Sequence, residues 1–153
     1  MIKQAIIPLA GLGTRLLPLS SVIPKELLPI NGKPNLEHIM DECIDAGVKE
    51  FILIISKDKN SIKKYFFNDL FYKKIIRKKN DKRIEKEYKK IKKYQKMIKF
   101  VYQNKPKGTG DAVLKCQKLI KSKYFLMLLP DDLIIKNNCS KEMMRLHKKP
   151  KDL

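Results

Sequence analysis

Gln4-Ala5-Ile6-Ile7-Pro8-Leu9-Ala10-Gly11-Leu12-Gly13-Thr14-Arg15 is a short apolar run that breaks into a glycine loop. It is too short for a core helix, so it predicts a buried strand over Gln4–Pro8 that feeds a loop. Next, Asn35 precedes Leu36, Ile39, Met40, Cys43 and Ile44, spaced i, i+3, i+4, i+7 and i+8, and Gly47 stands where a helix C-terminus is capped. That spacing predicts an amphipathic helix. Glu50 to Ser56 (EFILIIS) is then continuously apolar and branched, as expected of a strand covered on both faces. Strand, loop, helix, strand is the opening of a parallel α/β sheet.

The rest of the chain continues the alternation. A helix is expected from Asn60, with Ser61 as its N-cap and Ile62, Tyr65, Phe66 and Leu70 on one side. Lys73 to Lys99 holds 14 Lys/Arg against three acids, with Ile84, Tyr88, Ile91, Tyr94 and Ile98 three or four residues apart. This predicts one long, solvent-facing helix with a thin apolar stripe. Further strands are expected at Lys99 to Gln103 and Tyr124 to Leu129, and helices at Gly110 to Ile120 and Ser140 to Lys149. The predicted class is α/β, a doubly wound and mostly parallel sheet, in one domain without an internal repeat.

Composition narrows the function. The chain has 153 residues, 43% hydrophobic and 33% charged, with Gly (6) and Pro (8) not in excess, which excludes collagenous and wholly disordered readings. The net charge of +19 raises nucleic acid or an anionic membrane as a partner. Only Arg15, Arg77, Arg83 and Arg145 supply guanidinium, the group that nucleic-acid surfaces favour, so nucleic acid is not the expected partner. A polyanion-binding module built on residues 73–99 remains a second reading beside a plainly solvated lysine face. Cys43, Cys116 and Cys139 are odd in number and far apart, which fits reduced thiols and a cytoplasmic setting. The longest apolar runs fall short of the roughly 20 residues a membrane span needs, and no membrane partner is expected.

In open parallel sheets ligands bind beyond the carboxyl ends of the strands. After the first strand come Gly11-Leu12-Gly13-Thr14-Arg15 and then Pro24-Lys25-Glu26-Leu27-Leu28-Pro29. Glycine N–H groups can form an anion nest and Arg15 can pair with phosphate oxygens, which describes a triphosphate cradle. On the residues alone, a tight turn with an exposed arginine is equally open. A Walker loop is absent, and a dinucleotide fingerprint fails because Leu16 stands where its third glycine belongs. Gln103 stands at a strand end, where it reads equally as an edge residue. Asp131 and Asp132 follow the last strand and Pro130, a place suited to a Mg²⁺-binding carboxylate or to a turn cap. His38 and His147 carry no motif.

GLGTRLLP followed by PKELLPINGKP resembles the paired signature of the sugar-1-phosphate nucleotidyltransferases. The glutamate of PKELLP is similar to that of the bacterial UTP:glucose-1-phosphate uridylyltransferases, rather than of the thymidylyl-, cytidylyl- and guanylyltransferases of the same fold. The likeness continues through Tyr102-Gln103, Lys107-Gly108-Thr109-Gly110-Asp111-Ala112-Val113 and Leu129-Pro130-Asp131-Asp132. The chain departs from the commonest spelling at Thr109 and Asp111, where the family has Leu and His.

The resemblance implies a Rossmann-like nucleotidyltransferase fold and assigns the residues one by one. Ala10, Gly11 and Gly13 would hold the nucleotide by backbone. Arg15 would grip the outgoing phosphates and Lys25 would neutralise charge near the α-phosphate. Glu26 and Gln103 would read the uracil edge, Gly108 would let the base lie close, Asp131 would coordinate Mg²⁺ and Asp132 would reach the ribose. The implied reaction is in-line attack of a sugar 1-phosphate on UTP, giving UDP-glucose and pyrophosphate, by an enzyme that is a homo-oligomer at full length. Because the family's sugar pocket lies in a second half, residues 1–153 are expected to be the nucleotide-binding half. Such a chain is expected to bind UTP weakly or to be poorly soluble, and not to make UDP-glucose alone.

Overall fold

The computed structural model describes residues 2–134 and 136–148. Four parallel strands form one sheet in the order β5-β4-β1-β6, with β1 at Gln4–Pro8, β4 at Glu50–Ile55, β5 at Ile98–Tyr102 and β6 at Leu126–Met127. The register runs Gln4 to Glu50 through Pro8 to Ile54, and Phe51 to Ile98 through Ile55 to Tyr102. Taken as first to fourth in the sheet, the strands stand in the order 3-2-1-4, so the order reverses between β1 and β6. That reversal is the point at which α/β sheets open a ligand crevice.

Burial alternates with the pleat. Ala5, Ile7, Phe51, Leu53 and Ile55 face one core, and Ile6, Ile52 and Ile54 face another. The first core is covered by α1 (Asn35–Asp45), α2 (Asn60–Phe67), α4 (Lys82–Gln95) and α6 (Cys139–Lys148), through Leu36, Ile39, Met40, Cys43, Ile62, Phe66, Ile91, Tyr94 and Met144. The second is covered by α5 (Thr109–Lys115) through Ala112, and by Cys116 just beyond it. Helices on both faces make the sheet doubly wound, and they explain why β4 is apolar without alternation. Burial pushes the thiols of Cys43 and Cys116 up, to about 12 and about 11, so both are protonated and inert at neutral pH.

Several elements differ from expectation. The basic segment is two helices, α3 (Asp69–Lys79) and α4, broken where Asn80 turns left-handed at φ 47° and the Asp81 side chain accepts from the Arg83 N–H at 2.7 Å. Asn tolerates that conformation and Asp is a strong N-cap, so the break was written at residues 80–81. Nor does this segment simply face solvent, because Ile91 and Tyr94 lie in the core. Leu70 is 83% exposed rather than packed, since α2 ends at Phe67 and α3 starts afresh. Ser61 lies inside α2, whose N-cap position is Lys59. The helix expected to reach Ile120 ends at Lys115 and continues as a tight turn over Gln117–Leu119. β6 is only two residues long because β1 alone pairs with it among the described residues. The expected end of the last helix, Lys149, lies outside the described residues. Pro29–Ile30 (β2) and Lys33–Pro34 (β3) form an unexpected hairpin around Asn31 and Gly32, both with positive φ.

One ion cluster ties β4 and β5 to the loop after α5. Glu50 accepts from Gln4 Nε2 and from Lys121 Nζ, both at 2.7 Å, and lies 3.0 Å from Lys99 Nζ. Desolvation would raise its pKa, but Lys121, Lys99 and Gln4 outweigh it and hold the carboxyl at about 2 rather than 4.5. A carboxylate depressed by folding contributes stability that is present above the unfolded pKa and lost as pH falls through the folded one. Glu50→Gln is therefore expected to be less stable than the unaltered chain at pH 7, with the gap closing between pH 4.5 and about 2; urea unfolding across that range checks it.

Candidate functional site

The β1 ladder runs one residue beyond the strand, with the Leu9 N–H donating to the Ile54 carbonyl at 2.7 Å, and this delivers Ala10 and Gly11 to the top of the sheet. Gly13 is left-handed at φ 68°, and a Cβ there would stand 3.3 Å from the Ser20 Cβ, so the turn needs glycine. Ser20 Oγ donates to the Gly13 carbonyl at 2.8 Å and pins the turn. A tight helical turn over Thr14–Leu16 then presents Arg15, which is exposed. Another such turn follows over Leu19–Ser21, and a third, Lys25–Leu27 after Pro24, places Lys25 and Glu26 beside the loop.

Two cavities adjoin here and share Lys25 and Asp131. One, of about 190 Å³, is lined by Ala10 and Gly11 after β1, by Gln103, Gly108 and Thr109 after β5, by Pro130 and Asp131 after β6, and by Lys25 and Glu26. The other, of about 330 Å³, is lined by Gly13, Thr14, Arg15 and Leu16 with Lys25 and Asp131. Nine of the ten residues named from the sequence thus meet at one end of the sheet. The tenth, Asp132, lines neither cavity; it is exposed, and its N–H closes a turn onto the Leu129 carbonyl at 3.2 Å. No residue of α3 or α4 lines either cavity.

Charge in the site is paired across loops. Lys25 Nζ donates to Asp131 Oδ2 at 3.1 Å, and this bond, opposed by some desolvation, holds the Asp131 carboxyl below the usual carboxylate range. Glu26 is 1% exposed, and both its oxygens accept from Lys59 Nζ, at 2.7 and 2.9 Å. Gln103 Nε2 donates to Asp111 Oδ2 at 2.7 Å and to the Gly108 carbonyl at 3.2 Å. Asn35 Nδ2 donates to the Pro130 carbonyl and ties the start of α1 to the residue before Asp131.

Lys59 was not singled out from the sequence, and Asn35 was read only as the start of a helix, not as a residue of the site. A buried carboxylate demands a cation, but nothing in so lysine-rich a sequence marks which lysine supplies it. Mg²⁺ takes oxygen ligands and commonly uses one or two carboxylates together with phosphate oxygens and waters. Asp131 fits that role, being ionised, half-exposed and at the junction of the two cavities. No cluster of three or more His, Cys, Asp or Glu stands nearby among the described residues, so the protein's share of such a site would be small.

A family model described as nucleotidyl transferase matches residues 4–152. The chain belongs to the nucleotidyl transferase family. Among relatives in this family, the UTP–glucose-1-phosphate uridylyltransferase of Mycoplasma pneumoniae is 38% identical over 135 residues, covering 87% of this chain and 45% of that protein. The UTP-bound enzyme of Acinetobacter baumannii superposes with a TM-score of 0.79 at 29% identity, over 96% of this chain and 53% of the other. A UDP-glucose pyrophosphorylase complexed with UDP-glucose gives 0.77 at 31% identity, over 97% and 54%. This nucleotidyl transferase chain spans about half the length of the relatives it matches. No helix among its described residues is long and apolar enough to cross a membrane.

Proposed function

We propose that this chain carries the UTP-binding half of a UTP:glucose-1-phosphate uridylyltransferase. The observation that carries the reading is the convergence of Gly11, Lys25, Gln103 and Asp131, from the connections after three different strands, on one cavity at the switch point of the sheet. The relatives named above supply the uridylyl and glucosyl identities.

In this reading Arg15 and Lys25 bind the phosphates, a planar fork and a compact ammonium suited to the leaving pyrophosphate and the α-phosphate respectively. The backbone at Ala10, Gly11 and Gly13 admits the nucleotide closely. Gln103 meets the uracil edge beside Gly108, Glu26 lies in the lining of that cavity with its carboxylate taken up by Lys59, and Asp132 approaches the ribose from outside the cavity. The attacking oxygen of the sugar phosphate is already anionic, so these residues need only align the in-line displacement and neutralise charge. Mg²⁺, held on the protein side by Asp131, would supply further charge neutralisation at the phosphates. Nucleotide and sugar phosphate as substrates, with unpaired cysteines, suit a cytoplasmic enzyme.

Thermal unfolding with UTP, dTTP, CTP and GTP, each with and without Mg²⁺, tests the reading. UTP with Mg²⁺ is expected to raise the midpoint most; equal or greater stabilisation by another nucleotide overturns the uridylyl assignment. Asp131→Asn is expected to abolish the Mg²⁺-dependent part of that shift. Without nucleotide its midpoint should stay within about 2–4 °C of the unaltered chain, because a half-exposed ion pair contributes at most about 1 kcal/mol.

A further inference from the structure

A glutamine amide has a donor end and an acceptor end of nearly the same shape, and its neighbours decide which end faces a ligand. For Gln103, 5% exposed and lining the smaller cavity, the neighbours leave no choice. Asp111 Oδ2 at 2.7 Å is a carboxylate oxygen and the Gly108 carbonyl at 3.2 Å is a backbone oxygen. Both only accept, so only the NH₂ end can meet them. The remaining Gln103 Oε1 takes no donor from the described residues and is not sealed from solvent.

We propose that Asp111 is a positioning residue that sets the base preference of the site, by fixing the Gln103 amide so that its one accessible polar atom is an acceptor. The inference rests on the uridylyl reading above and deepens it. Uracil carries an N–H at ring position 3, which an acceptor welcomes; cytosine carries a lone pair there, which an acceptor repels. An amide free to turn over would serve either base. Fixed from behind by an acceptor-only group, it serves uracil. Asp111 itself is held in the first turn of α5, directly after Thr109 and Gly110, and its other oxygen stands 4.0 Å from Lys115 Nζ one helical turn on.

The test is the ratio of UTP to CTP dissociation constants, measured by calorimetry with Mg²⁺ for the unaltered chain, Asp111→Ala and Asp111→Asn. The asparagine variant keeps the shape but can donate to Gln103 Oε1, which leaves only the longer 3.2 Å bond to the Gly108 carbonyl to hold the amide's orientation. In both variants the preference for UTP is expected to shrink about tenfold or more, the scale of one mismatched polar contact. A merely structural role would weaken both nucleotides alike, since they share ribose and triphosphate, and would leave the ratio unmoved. An unchanged ratio in a variant that unfolds at the normal temperature overturns the role of Asp111 alone; should the alanine variant fail to fold, the asparagine variant decides. An unaltered chain that does not prefer UTP overturns the uridylyl reading and this inference with it.

Discussion

Lys59→Met is expected to cost about 3–5 kcal/mol, the range for removing one partner of a buried ion pair. Glu26 is 1% exposed and its two oxygens have Lys59 Nζ as their charged donor, so the substitution strands a carboxylate where water cannot reach it. At roughly 2–4 °C per kcal/mol for a chain of this size, the midpoint should fall by about 6–20 °C. The second substitution, Glu26→Gln, removes the stranded charge and should recover much of the loss in the Lys59→Met background. Thermal unfolding of the two single variants and the double variant checks both statements. A fall of under about 2 °C for Lys59→Met would show that the pair is hydrated and that some other contact holds the Lys25–Leu27 turn in place.

Lys25→Met should lower UTP affinity by about 10- to 100-fold, the worth of one hydrogen bond to a charged group. Lys25 is the ammonium shared by both cavities, and its present partner is Asp131. The same change frees Asp131, whose carboxyl should return upward toward its ordinary range because the Lys25 bond is the main cause of its depression. Calorimetry reads the first effect and carbon-13 NMR titration of the aspartate carboxyls reads the second. Undiminished affinity would move the phosphate grip away from this lysine.

The two long apolar runs and the i, i+3, i+4 spacing of α1 made β1, β4 and α1 legible, because burial on both sheet faces leaves a signal in nearly every residue. The β2–β3 hairpin was also written, in Asn31-Gly32, but its strands are two residues each and carry no period to notice. The helix break at Asn80 and Asp81 was hidden by the run of lysines and arginines that continues across it from residue 73 to 99, while the apolar stripe, Ile84 to Ile98, lies wholly beyond it. Among site residues, the glycines, Lys25 and Asp131 stood out because loops that bind anions use few residue types. Lys59 and Asp111 act on other side chains, so their roles exist only in the folded arrangement. Asp111 was visible solely as a departure from a familiar spelling.

The lining of the smaller cavity runs from Pro8 to Asp131 along the chain and belongs to the ends of three strands. No partly folded piece contains it, so a nucleotide that binds there binds only the assembled sheet. Folding and occupancy then form a single equilibrium, in which ligand at about a hundred times its dissociation constant adds about 2.7 kcal/mol to the native state by mass action. The concentration of nucleotide around the protein thereby becomes one of the quantities that set how much of it is folded.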